Sequence, residues 1–95
     1  MTLGNKIKEL RENKGLMQRE VGSIINVDGA FISKIESGEK QISRHHLPTL
    51  SNYFSVTIEE LETLWLADKI YNIIKNEPLG FKALQFIHSN INNEH

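Results

Sequence analysis

The 95-residue chain contains no cysteine. That removes disulfides, thiolate metal ligands and cysteine nucleophiles together, and it fits a protein kept in the reducing cytoplasm. Proline is scarce, with two residues, and tryptophan is limited to one. No apolar run reaches the roughly 20 residues that a membrane-spanning helix needs, and no basic start leading into an apolar stretch marks a signal peptide. Neither a membrane partner nor export is expected. No alternation of apolar and polar residues suggests a strand, and there is no repeat or low-complexity tract. The constellations that catalysis needs are missing as well: no nucleophile paired with a base, no glycine loop built to cradle phosphate, no metal-ligand spacing. His45 and His46 are adjacent, so on a helix they point to different faces and make a poor metal pair. Glu59, Glu60 and Glu62 are explained by helix capping and the helix dipole rather than by acid–base chemistry. The expectation is a non-enzymatic protein with no cofactor and no metal.

What is present is enough chain for one compact domain with little to spare, small enough that self-association would add useful stability. The formal net charge is −1, which argues mildly against nucleic acid. The distribution changes that picture. Residues 1–54 hold eight Lys/Arg against six Asp/Glu, whereas residues 55–95 hold three against six. The front half is the better candidate for a phosphate-facing surface, although an imbalance this small also arises by chance.

Apolar spacing divides the chain into helical segments. The first, Thr2 to Asn13, carries Leu3, Ile7 and Leu10, with Thr2 as a cap and Lys14-Gly15 as the stop. The second runs from about Gln18 to Ile25 with Val21, Ile24 and Ile25, and Asn26 suits a tight left-handed turn. The third is capped by Asp28, carries Phe31, Ile32 and Ile35, and ends at Glu36 before Ser37-Gly38. The fourth follows Ser43, read as another cap, and contains Leu47, Leu50 and Phe54; Pro48 implies a late start or a bend. The fifth opens on Thr57 and Glu60 as a capping box and holds Leu61, Leu64, Trp65, Leu66, Ile70, Ile73 and Ile74. Pro78 suits the first turn of a sixth, with Leu79, Ala83, Leu84, Phe86, Ile87 and Ile91 on its apolar side. The polar residues Asn92 to His95 are expected to fray.

Two short helices joined by a tight turn at about Asn26-Val27, within a set of other short helices, are the organisation of a helix-turn-helix over about residues 17–36. The stretch resembles the Cro/C1-type repressor family, also called the xenobiotic-response-element family. The residues that carry the resemblance run from Leu3 to Arg11, from Gly15 to Val21, and from Phe31 to Gly38, with Val27, Leu47, Leu50, Val56, Glu60 and Leu61 completing the ordered set. It implies an all-α fold: a lambda-repressor-like five-helix DNA-binding domain over residues 1–66, then a helical extension over residues 67–95. It also implies a transcriptional regulator of double-stranded DNA, a repressor or autoregulator, with the third helix in the major groove. The family's base-reading positions match Asp28, Gly29, Ala30, Ser33 and Lys34. Lys34 can donate to guanine, Ala30 can touch a thymine methyl, and Ser33 can donate or accept. Asp28 either accepts from cytosine or simply caps the helix, and capping is favoured. Gly29 permits close backbone approach. Phosphate-gripping positions match Gln18 and Arg19 at the start of the second helix, and Lys40, Gln41 and Arg44 beyond the third. Arg11 and Glu36 match a pair that ties the first helix to the end of the third, expected here as a partly exposed salt bridge.

The chain departs from the family pattern in places. Met17 stands where Ser or Thr usually caps the second helix, Asn26 replaces a turn glycine, and Gly22 replaces a small alanine. Gly29-Ala30 leaves few long side chains for reading bases. The C-terminal third is too rich in Leu, Ile, Phe and Trp for two amphipathic helices to hide in a monomer this small. Trp65, Ile70, Ile73, Ile74, Leu84, Phe86, Ile87 and Ile91 are therefore expected to build a two-fold homodimer interface, the alternative being that they fold back on the domain. A second function class stays open: an antitoxin or adaptor that grips a protein partner, a toxin or another regulator, through these helices.

Overall fold

The computed structural model describes residues 2–94, with side chains described for residues 3–91. The described chain is all-α. Helix α1 spans Thr2–Asn13, α2 Gln18–Ile24, α3 Gly29–Glu36, α4 Leu47–Phe54, α5 Ile58–Ile74 and α6 Gly80–Glu94, with a 3-10 turn over Arg44–His46 leading into α4. The expected Thr2 cap concerns a side chain outside the described residues; of the residues expected to fray, Asn92 to Glu94 continue α6, and His95 lies outside the described residues. No described helix is long and apolar enough to cross a membrane.

The periodic apolar residues make the core. Leu3 and Ile7 of α1, Val21 and Ile25 of the α2 region, Ile32 and Ile35 of α3, Ile42, Leu47, Leu50 and Phe54 around α4, and Leu61 of α5 are all buried in one cluster. Each such side chain removed from water contributes about 1.5–3 kcal/mol, so this shared centre, not helix propensity, holds the short helices in place. Phe31 is only partly buried and packs against the cluster from the side.

Several helix starts differ from the sequence expectation, each for a local reason. Ser43 makes no side-chain cap bond; its carbonyl accepts from His46 N–H at 3.1 Å and opens the 3-10 turn instead. Pro48 then falls in the first turn of α4, where its missing N–H has no helical partner to lose, so the helix starts late rather than bending. The box at Thr57 is half formed. Thr57 Oγ1 accepts from Glu60 N–H at 3.1 Å, but the Glu60 carboxylate turns to Lys6, with Nζ 3.3 Å away. At α6, Pro78 and Leu79 form a turn and the helix begins at Gly80, two residues later than the proline suggested.

Helix α5 runs without a break through residue 66 to Ile74. Its core face is Leu61, Leu64, Trp65 and Asp68, a helical i, i+3, i+4, i+7 stripe that is buried or partly buried throughout. Asp68 is 6% exposed, and its Oδ2 accepts from the Leu3 N–H at 3.0 Å. A carboxylate thereby satisfies a first-turn amide of α1 and meets the positive end of that helix. The outer face of α5 carries Leu66, Ile70 and Ile73, all exposed. In α6 every described side chain from Phe81 to Ile91 is exposed.

One member of the expected interface set, Trp65, is held largely by its own chain. Trp65 turns inward, packs against the core and donates from Nε1 to the Ile42 carbonyl at 2.7 Å. An indole that finds both a hydrophobic wall and a hydrogen-bond acceptor inside its own fold is already satisfied. Ile74 is partly covered where the start of α6 approaches it at Gly80, while Ile70, Ile73, Leu84, Phe86, Ile87 and Ile91 remain exposed.

Candidate nucleic-acid interface

The α2–turn–α3 unit is built by short-range devices. Met17, in extended backbone, offers no capping oxygen, but Glu20 reaches back and accepts from the Met17 N–H at 2.8 Å. The missing cap is thus replaced from within the first turn, in the manner of half a capping box. Asn26 takes the turn at φ 60, in the left-handed region that asparagine tolerates. Asp28 then caps α3, its Oδ1 accepting from Phe31 N–H at 2.8 Å. Gly22 lets the turn fold flat against α2: a Cβ there would collide with the Val27 carbonyl and come within 3.1 Å of the Asp28 carbonyl oxygen.

A second clamp lies behind the unit. Arg11 Nε donates to Glu36 Oε2 at 2.7 Å, and Nη2 donates to Oε1 at 3.0 Å. Arg11 Nη1 donates to the Leu16 carbonyl at 2.9 Å, and Gln18 Nε2 donates to Glu36 Oε1 at 3.1 Å. The Arg11 and Glu36 side chains are only 13% and 4% exposed. The bridge is part-buried, as expected, and two-pronged around a buried Glu36 carboxylate; its hydrogen bonds to Glu36 raise the Arg11 pKa above its ordinary value. It welds α1, the entry of α2 and the end of α3 into one block.

The exposed side of α3 carries Ala30, Ser33 and Lys34, which share a face by i, i+3, i+4 spacing. Asp28 is exposed but committed to its cap. Gly29 points its missing side chain at α2, where a Cβ would lie 3.1 Å from Arg19 N. Gln18 and Ser33 meet in a shallow concavity that also takes in Lys8 and Ser37. Neither Lys8 nor Ser37 was singled out as a site residue in the sequence reading. Lys8 lies off the Leu3, Ile7, Leu10 stripe and one turn before Arg11, and that spacing is the signal that places it there. Gly38, at φ 82, closes α3, and the following amides of Glu39 and Lys40 donate to the Lys34 carbonyl at 2.9 and 3.1 Å.

The residues matched to phosphate contact are not all presented alike. Arg19 and Lys40 are exposed. Gln41 Nε2 donates to the Trp65 carbonyl at 3.1 Å, and Arg44 Nε donates to Glu62 Oε2 at 3.0 Å. Both are thus engaged by α5. The His45 and His46 rings lie against each other at a tilt of 42°, with centroids 4.0 Å apart. Burial, then the neighbouring His45, lowers the His46 pKa below the ordinary 6.5.

A braced pair of short helices with a left-handed turn, the second helix presenting a small polar and cationic face to solvent, defines a helix-turn-helix protein. The chain belongs to the helix-turn-helix domain family, whose model matches residues 4–71. It is similar to the HTH-type transcriptional activator BcrR of Enterococcus faecalis, 36% identical over 99 aligned positions that take in 92% of this chain and 48% of that protein. It is also similar to the control protein C.MunI of a Mycoplasma species, 36% identical over 59 positions, 61% of this chain and 80% of that protein. The chain therefore spans about half the length of BcrR. No solved structure gives a significant match.

Proposed function

We propose that the chain is a DNA-binding transcriptional regulator and not an enzyme, acting in the cytoplasm as a homodimer on an inverted repeat, in a repressing or autoregulatory role. The observation that carries this reading is the exposed Ala30, Ser33 and Lys34 face of a helix braced from behind by Arg11 and Glu36. Such a face enters the major groove with the core undisturbed. Lys34 donates to guanine O6 or N7, Ala30 meets a thymine methyl, and Ser33 bonds either a donor or an acceptor. Asp28 and Gly29 serve mainly the helix itself, so direct reading is narrow. Gln18, Arg19, Lys40 and Arg44 grip phosphate, with Gln41 steadying the loop that carries the last two. The similarity to a transcriptional activator, BcrR, and to a control protein, C.MunI, supports the regulatory class. The helices α1 to α5 serve as a lambda-repressor-like domain.

Homodimer formation uses the apolar outer faces of α5 and α6. Ile73 and Phe86 are 74% and 68% exposed, and amphipathic helices of this kind bury their apolar residues against another element or another chain. The same exposure favours a second reading, a protein-gripping adaptor or antitoxin; a monomer in sedimentation that copurifies with a stoichiometric partner would select it. Titration against a pool of random duplexes tests the DNA reading. Binding that weakens with salt is expected, and Lys40→Ala should lower it on all sequences and flatten the log–log salt slope by about 0.9. A slope near zero would contradict it.

A further inference from the structure

Between α3 and α4 the chain is tied to a single turn of α5 at several points. Trp65 Nε1 donates to the carbonyl of the buried Ile42 at 2.7 Å, and the Trp65 carbonyl accepts from Gln41 Nε2 at 3.1 Å. The Arg44 guanidinium carbon lies 5.2 Å from the centroid of the Trp65 ring, and its Nε donates to Glu62 Oε2 at 3.0 Å. Glu62 and Trp65 are three residues apart on α5, so the carboxylate and the indole form one cradle for the guanidinium. The backbone of the loop is fixed by the tryptophan, and the cation on it is held by the glutamate.

We propose that Glu62 is an internal stand-in for DNA phosphate: it holds Arg44 while the protein is free and yields it to the sugar-phosphate backbone on binding, which sets a uniform restraint on DNA affinity. This rests on the reading of Arg44 as a phosphate contact. A carboxylate and a phosphate both present anionic oxygens that accept from a guanidinium, so Arg44 can exchange one for the other by turning its side chain away from α5. The contrast with Arg11 decides which arginine is exchangeable. Arg11 grips Glu36 through two bonds with side chains 13% and 4% exposed, whereas Arg44 makes one bond to Glu62 with side chains 52% and 35% exposed. An exposed, single-bonded pair is weakly held and hydrated, so releasing it is easy. Glu62 is therefore a positioning residue that acts through Arg44, and it touches no base.

The experiment is a duplex titration at fixed low salt with wild type, Glu62→Gln, Glu62→Ala, Arg44→Ala and the Glu62→Gln, Arg44→Ala double variant. Glu62→Gln should tighten binding about two- to fivefold, equally on all duplexes, in line with the modest strength of an exposed pair. Glu62→Ala, which also removes the charge, should do the same. Arg44→Ala should weaken binding, and adding Glu62→Gln to it should give no gain. Trp65, the one tryptophan of the chain, supplies a second readout. Its emission should shift when wild type binds DNA and Arg44 leaves the ring, and should shift less in Arg44→Ala. Unchanged affinity in both Glu62 variants, or an equal gain with and without Arg44, would overturn the proposal while leaving DNA binding intact. A wild type that binds no duplex would overturn the DNA reading and this inference together.

Discussion

Arg11 and Glu36, 25 residues apart in sequence, face each other in a two-point ion pair with nitrogen–oxygen distances of 2.7 and 3.0 Å, and Gln18 adds a third donor to the same carboxylate. The far end of α3 is thereby anchored, leaving its first turns to project. Removing one member strands a buried charge. Arg11→Met should cost about 3–5 kcal/mol in urea unfolding, and Arg11→Met with Glu36→Met should cost less than the single change, because no charge is then left unpaired. A cost below that of an ordinary surface substitution would contradict the enclosed geometry.

Gly22→Ala sets two effects against each other. Alanine improves helix propensity by about 1 kcal/mol, but its Cβ runs into the Val27 carbonyl. Backbone cannot swing aside as a side chain can, so overpacking of about 1–3 kcal/mol should win. A lower thermal midpoint and weaker DNA binding are expected, and a raised midpoint would contradict the close contact.

His46 makes stability depend on pH in a defined direction. Burial and then the adjacent His45 lower its folded pKa below 6.5, so as pH falls the unfolded chain takes up the proton first. The contribution is fully present above the unfolded pKa and is lost as pH falls through the folded one. Between about pH 7.5 and about pH 5.5 the thermal midpoint of wild type should fall more than that of His46→Gln. Parallel curves would contradict this.

The outer face of α6 gives a prediction that folding does not confound. Ile87 is 51% exposed, so Ile87→Asp removes no core contact. The helical signal should stay unchanged while sedimentation shifts from dimer to monomer, with dissociation eased at least about tenfold by a charge buried in an apolar interface. A variant that sediments as wild type does would contradict the use of this face.

The helices themselves were legible in the sequence because their apolar residues recur at helical spacing, and the helix-turn-helix because Asn26 and Asp28 are chemically suited to the turn and cap they form. Contacts across long stretches of chain were not. The bond from Leu3 to Asp68 spans 65 residues, and spacing alone marks only that Asp68 shares a face with Leu61. Trp65 shows the general difficulty: an apolar stripe states that a face is covered, but not whether the chain or a partner covers it. The same holds at Arg44, a surface cation by composition that the fold pairs with Glu62. Helix starts near Ser43 and Pro78 shifted because local turns come first: the Ser43 carbonyl closes a 3-10 turn, and Pro78 and Leu79 turn before α6 begins.

Selection from a pool of random duplexes, run in parallel with wild type and Lys34→Ala, tests the use of α3 most directly. Wild type should enrich an inverted repeat whose half-site centres lie about 34 Å apart, one turn of the duplex. Lys34→Ala should still bind, with the preference lost at one base pair in each half-site, worth about 1–3 kcal/mol of discrimination. An unenriched wild-type pool, or identical enriched sites for both proteins, would contradict the placement of Lys34 at a base edge.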